Sequence, residues 1–225
     1  MSEEGRGSLR PHFAALKDRA DALLLAGDLT YVGRLEEAEM LAGELEGTPV
    51  PVIAVLGNHD HHRGQAAAIR EVLERVGVKM LEGESITLDV RGRTLGIAGV
   101  KGFCGGFKGS HGHKFGEPEM KAFIQAADDA ALALEMQLRG LRADRRVALL
   151  HYAPVRDTVE GERAEIFPYL GAYQLADAID RAGADLVLHG HAHYGSVEGA
   201  TPAGIPVRNV AMPVIRSAYA IYTLP

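Results

Sequence analysis

Four short apolar runs, each closed by glycine or a polar residue, constrain this chain more than any other feature. Leu23-Leu24-Leu25-Ala26 runs into Gly27-Asp28, and Val52-Ile53-Ala54-Val55-Leu56 into Gly57-Asn58-His59-Asp60. Val147-Ala148-Leu149-Leu150 runs into His151, and Leu186-Val187-Leu188 into His189-Gly190-His191-Ala192-His193. Runs of this length without polar alternation read as strands buried on both faces, and the four are expected to share one sheet. Open α/β sheets bind ligands beyond the carboxyl ends of their strands. Asp28, Asn58, His59, His151, His191 and His193 are therefore expected to converge. Taken singly, each ending is equally a polar turn, and His151 a core histidine; the recurrence makes a site of them.

Between the runs the period changes to that of helices. Residues 8–19 place Leu9, Phe13 and Leu16 on one face, residues 35–45 place Met40, Leu41 and Leu45, and residues 65–76 end at Gly77. Strand and helix thus alternate as in parallel βαβ winding. Residues 85–90 and 94–98 then flank Arg91-Gly92-Arg93 like the arms of a hairpin, which implies an antiparallel region. A glycine-rich loop over residues 99–116 precedes a long helix that begins at Pro118 and stops near Gly140. Residues 173–182 read as a further helix, and residues 205–210 and 219–224 as strands. No internal repeat or low-complexity segment interrupts the pattern.

At 225 residues the chain fits a single α/β domain, residues 1–225, large enough to bury a core. Its formal net charge of -6 opposes non-specific nucleic-acid or membrane-surface binding and directs attention to a small substrate. Glycine accounts for 27 residues, well above the usual ~7%, so tight turns and close backbone approaches are expected. The one cysteine, Cys104, excludes an intramolecular disulfide and cysteine-rich zinc sites. The opening residues carry no apolar segment of the secretory kind, and no run is long enough to span a bilayer. A cytoplasmic location is expected, with no membrane partner. A homo-oligomeric contact through the long helix stays open.

One carboxylate, one amide oxygen and two imidazoles, from Asp28, Asn58, His151 and His191, suit a first-row transition ion such as manganese, iron or zinc. A second ion bridged by Asp28 and held by His193 would let the pair activate water and neutralise a phosphoryl group. His59 beside Asn58 could protonate a leaving oxygen, with Asp60 orienting its ring. Lys101, Lys108, Arg63 and Arg156 could meet a phosphate, although charged loop residues are usually just solvated, and none is singled out. His189 is expected to point away from the site as a structural residue. The loop over residues 99–116 reads as a lid or as plain surface.

In this order, Gly27-Asp28, Gly57-Asn58-His59-Asp60, His151 and Gly190-His191-Ala192-His193 resemble the calcineurin-like metallophosphoesterases over residues 27 to 193. The resemblance implies a four-layer α-β-β-α sandwich and a dinuclear site that hydrolyses a phosphomonoester or phosphodiester with a metal-activated water. It implies Asp28 as the bridge, Asn58, His151 and His191 on one ion, His193 on the other, and His59 and Asp60 as catalytic residues. Two divalent or mixed-valence ions and a small phosphoester substrate follow.

One element of that pattern is absent: an apolar strand ending in Asp-x-His, which in the family completes the first metal site. Residues 2–7 read as the loop that should follow such a strand. The first ion is left with Asp28 and His193, and His61 and His62 are either stand-ins or a helix-entry loop. A missing strand beside the one ending at Asp28 leaves backbone groups unpaired at ~1 to 3 kcal/mol each. The expectation is a start displaced by roughly 10 to 15 residues, one strand plus its motif. The alternatives are a degenerate metal- or phosphate-binding protein that holds a single ion, and an inactive truncated form of the enzyme.

Overall fold

The computed structural model describes residues 8–225; the loop expected over residues 2–7 lies outside them. Helix α1 (Arg10–Ala14) and the 3-10 turn after it bury Phe13 and Leu16 and lead into β1 (Leu23–Ala26). Helix α2 (Leu35–Leu45), strand β2 (Val52–Val55), helix α3 (Ala66–Arg75) and the short β3 (Lys79–Met80) complete the first half. Strands β1, β2 and β3 form a three-stranded parallel sheet in that order. Leu41, Leu45, Ile69 and Leu73 cover its outer face, since the apolar stripes of α2 and α3 must be buried against something.

Strands β4 (Glu84–Val90) and β5 (Arg93–Val100) make the expected hairpin, with Arg91 and Gly92 both at positive φ in its turn. A small pair, β6 (Gly106–Phe107) and β7 (Ser110–His111), folds the glycine-rich loop back on itself and buries Phe107. Helix α4 (Pro118–Gly140) follows, then β8 (Arg145–Leu150), the short α5 (Phe167–Leu170), α6 (Tyr173–Ala182) and β9 (Leu186–His189). Strands β10 (Glu198–Ala200) and β11 (Pro206–Asn209) and the helical turn α7 (Met212–Ile215) end the described elements. The second sheet runs β10-β11-β9-β8-β5-β4, with α4 and α6 packed on its outer face through Leu134, Leu138, Leu175 and Ile179.

The two sheets meet through Ile53, Val55, Ile97, Val147, Leu149 and Leu188, giving an α-β-β-α sandwich. This corrects the expectation that all four apolar runs share one sheet: β1 and β2 lie in one, β8 and β9 in the other. Burial on both faces is satisfied by a helix outside and a facing sheet inside, so composition alone does not separate the cases. The carboxyl ends still converge, because both sheets present them at the same end of the sandwich.

Strand β1 pairs with β2 on one side and, among the described residues, with no strand on the other. All four residues of β2 are buried, whereas Leu24, Leu25 and Ala26 of β1 are only partly so. A groove of about 1210 Å³ runs along this free edge, walled by Leu25, Val147, Leu188, Tyr219, Tyr222 and Leu224. Residues 219–224, expected as a strand, line its far side and join no sheet. Their place is fixed by side chains: Arg19 Nη1 donates to the Tyr219 hydroxyl at 2.8 Å, and Arg145 Nε to the Pro225 carbonyl at 2.6 Å.

Candidate metal centre

Two tight strand ends create the site. After β1, Gly27 turns with φ of 83°, and a Cβ there would stand 2.5 Å from His151 Nδ1. After β2, a Cβ on Gly57 would stand 2.2 Å from the Asp28 amide nitrogen. A side chain at Gly27 would press on the His151 ring, and one at Gly57 would push its turn away from Asp28. Asp28 and His191 themselves hold positive φ, 51° and 67°, a conformation that costs non-glycine residues ~1 to 3 kcal/mol and concentrates at functional sites.

Asp28, His151 and His191 bring one donor atom each within 4.8 Å of one another. Asn58 completes the set: its Oδ1 lies 2.8 Å from His151 Nε2, and Asp28 Oδ1 lies 3.3 Å from the same nitrogen. His151 Nδ1 donates to the Ala26 carbonyl at 2.9 Å, which leaves Nε2 of a neutral ring as a lone pair. Burial, and then the His191 ring, push the His151 pKa well below the usual value, so the ring is neutral. A lone pair and two oxygen acceptors thus face one another with no proton among them. A cation satisfies all three, and the mixed oxygen and imidazole donors fit a first-row divalent ion. His191, its pKa pushed by burial to about 4, is likewise neutral and is oriented by Nε2 donating to the Tyr169 carbonyl at 3.1 Å.

His59 and His193 stand at the rim. The His59 amide donates to Asp28 Oδ1 at 3.0 Å, and its ring Nε2 lies 3.9 Å from Asp28 Oδ2. The exposed His193 lines the same groove and acts electrostatically on Asp28. Burial raises the Asp28 pKa, opposed by the His59 amide. His61 and His62 are exposed and stand outside the donor cluster.

Asp60 takes a different part from the one its neighbour suggested. It is fully buried, and its carboxylate accepts from the Leu29, Thr30 and Gly57 amides and the Thr30 hydroxyl at 2.6 to 3.2 Å. It therefore clamps the turn carrying Asp28 to the turn carrying Asn58. The His59 ring is held instead by the Tyr31 carbonyl, 2.6 Å from Nδ1. Tyr31 and Tyr169 act through main-chain oxygen, which leaves no trace in side-chain pattern. His189 is structural as expected, buried with Nε2 2.7 Å from the Thr158 hydroxyl.

Burial also lowers the His189 pKa to about 4 from the usual 6.5. Between these values the unfolded chain binds more protons than the folded one, so stability rises with pH across that window and is fully present above 6.5. Metal-free protein should lose roughly 3 kcal/mol at this residue alone as pH falls from 7 to 4. Urea midpoints measured across that range check the effect; a flat profile contradicts it.

Among solved structures the fold is similar to that of the phosphopantetheinyl hydrolase PptH from Mycobacterium tuberculosis, with a TM-score of 0.69 and 17% identity over 94% of this chain and 86% of that one. A hypothetical protein from Thermus thermophilus matches with a TM-score of 0.55 and 21% identity over 94% and 73%. A putative 5'-nucleotidase from Staphylococcus aureus matches at 0.55 and 15% over 90% and 42%. No curated protein matches by sequence. No helix of the described residues is long and apolar enough to cross a membrane. The family model of the calcineurin-like phosphoesterases covers residues 5–195, most of the chain and every residue of the site, so this protein belongs to that family of phosphoester hydrolases.

Proposed function

We propose that the chain hydrolyses a small phosphomonoester or phosphodiester at a site for two cations. The observation that carries this reading is the proton-free convergence of His151 Nε2, Asn58 Oδ1 and Asp28 Oδ1 at the strand ends. Asp28, Asn58, His151 and His191 would hold one ion, and Asp28 with His193 part of the shell of the other. Bound cations of the manganese, iron or zinc type supply Lewis acidity, lowering the pKa of a water and offsetting phosphoryl charge. His59, with Nδ1 fixed by the Tyr31 carbonyl, presents Nε2 as the nitrogen that carries a proton to the leaving oxygen. Asp60 serves this chemistry by holding Asp28 and Asn58 in register. Lacking cysteine pairs, the protein suits the reducing cytoplasm.

The groove beside β1 favours a second reading: one good cation site with a sparsely ligated neighbour, as in a degenerate metal- or phosphate-binding protein. Asp28 and His193 alone are a thin shell for a second ion, and the free edge of β1 opens beside them. Metal analysis with a nitrophenyl phosphodiester separates the readings. Two ions with turnover support the two-cation enzyme; one ion without turnover supports the single-ion binding protein.

A further inference from the structure

Four basic residues border the site in sequence, and the structure separates them. Lys108 is paired with Asp177 at 2.6 Å, and Arg156 with Glu160 at 3.0 Å. Arg63 is exposed. Lys101 differs from all three. It follows β5, and its carbonyl accepts the amides of both His151 and Tyr152 at 3.1 Å, which ties it to the strand end that carries a metal ligand. Its half-buried ammonium lies 5.2 Å from the Phe103 ring centroid and 5.3 Å from that of Tyr152. The opposite neighbour of Tyr152 is His191, with ring centroids 4.6 Å apart. One aromatic ring therefore separates this cation from the donor cluster.

The ammonium is also under-used. Its hydrogen bond goes to the Gly102 carbonyl, 3.2 Å away and next in sequence. Among the described residues no carboxylate oxygen comes within 4.0 Å of it. Glu82 is the acid whose charge it feels, but that carboxylate accepts from the Leu56 amide at 2.7 Å. A half-buried cation without a close counter-ion is less favourable than a paired one and gains from an anion that arrives from outside.

We propose that Lys101 is an anion-binding residue of the site, its ammonium leaving the Gly102 carbonyl to contact a phosphoryl oxygen of the bound substrate. This rests on the phosphoesterase reading and adds to it a fixed positive charge independent of the cations. The probe is inorganic phosphate, titrated calorimetrically into the metal-loaded chain, so that no turnover is needed. Lys101→Met keeps the unbranched stem that packs on Phe103 and Tyr152 and removes the charge. It should weaken phosphate binding by about tenfold or more, as expected for a lost charge-assisted hydrogen bond. Bound metal should not change, and the melting temperature without phosphate should not fall. Lys101→Arg should recover most of the affinity, and it keeps the test alive if the Met variant folds poorly. Unchanged affinity in Lys101→Met, or an Arg variant no better than Met, overturns the proposal. A parent protein that carries metal and binds no phosphate overturns the phosphoesterase reading and this inference together, whereas a defect confined to the variants' affinity is specific to Lys101.

Discussion

His151→Ala is expected to strip the site of its cation and lower phosphoester turnover by about a thousandfold, the equivalent of the several kcal/mol a Lewis acid supplies. The ring is the pivot of the donor set: Nδ1 is committed to the Ala26 carbonyl, and Nε2 faces Asn58 and Asp28. Without Nε2 the remaining donors lose one corner of the coordination shell, and affinity should fall by at least about a hundredfold, more than loss of an outer-shell partner costs. Metal content after dialysis, measured with turnover, checks this. His189→Ala is the control, because its imidazole is equally buried but bonds to Thr158 and Gly190. It should cost stability and leave the metal in place. If both variants lose the cation equally, the centre is not where Asp28, Asn58 and His151 meet.

The second large effect is expected at Asp60. Asp60→Ala leaves the amides of Leu29, Thr30 and Gly57 without their acceptor inside a closed part of the molecule. Each buried donor so abandoned costs ~1 to 3 kcal/mol, offset in part by removal of a buried charge. A net loss of about 3 to 5 kcal/mol follows, a fall of roughly 10 °C in melting temperature for a chain of this size. Activity should fall too, because the Asp28 and Asn58 turns lose their clamp. A side chain whose only task is to orient His59 behaves differently: its removal would lower turnover and leave the melting curve unmoved. Calorimetry on Asp60→Ala, with His59→Ala beside it, tells the two apart.

Much of the site is legible in the sequence, for a reason that can be named. A strand buried on both faces can place chemistry only where it ends, so Asp28, Asn58, His151 and His191 were fixed by the apolar runs before them. What the runs could not show was how many sheets they form, since a facing sheet buries Val147 and Leu149 as well as a helix would. Asp60 was misleading because adjacency in sequence suggests adjacency in action. The 3-10 turn at residues 59–61 sends its carboxylate back toward Thr30 and leaves the His59 ring to a main-chain oxygen. Residues 219–224 have the composition of a strand, but a strand also needs an edge to pair with, and the one they face lies across a groove. Lys101 was one of four equivalent cations until the ion pairs of Lys108 and Arg156 were known.

The hydrogen bond from Arg19 to Tyr219 joins positions 200 residues apart, and the same guanidinium lies 5.6 Å from the Tyr219 ring centroid. As the chain leaves the ribosome, β1 is made well before the residues that face its free edge, since Arg19 and Tyr219 are 200 positions apart. The contact between them closes only after that separation has been made, and contacts of such sequence separation form slowly. The interval is an opportunity for the edge to pair with another nascent chain. Yield of soluble protein should therefore depend on slow translation and low temperature more than on the stability of the finished fold.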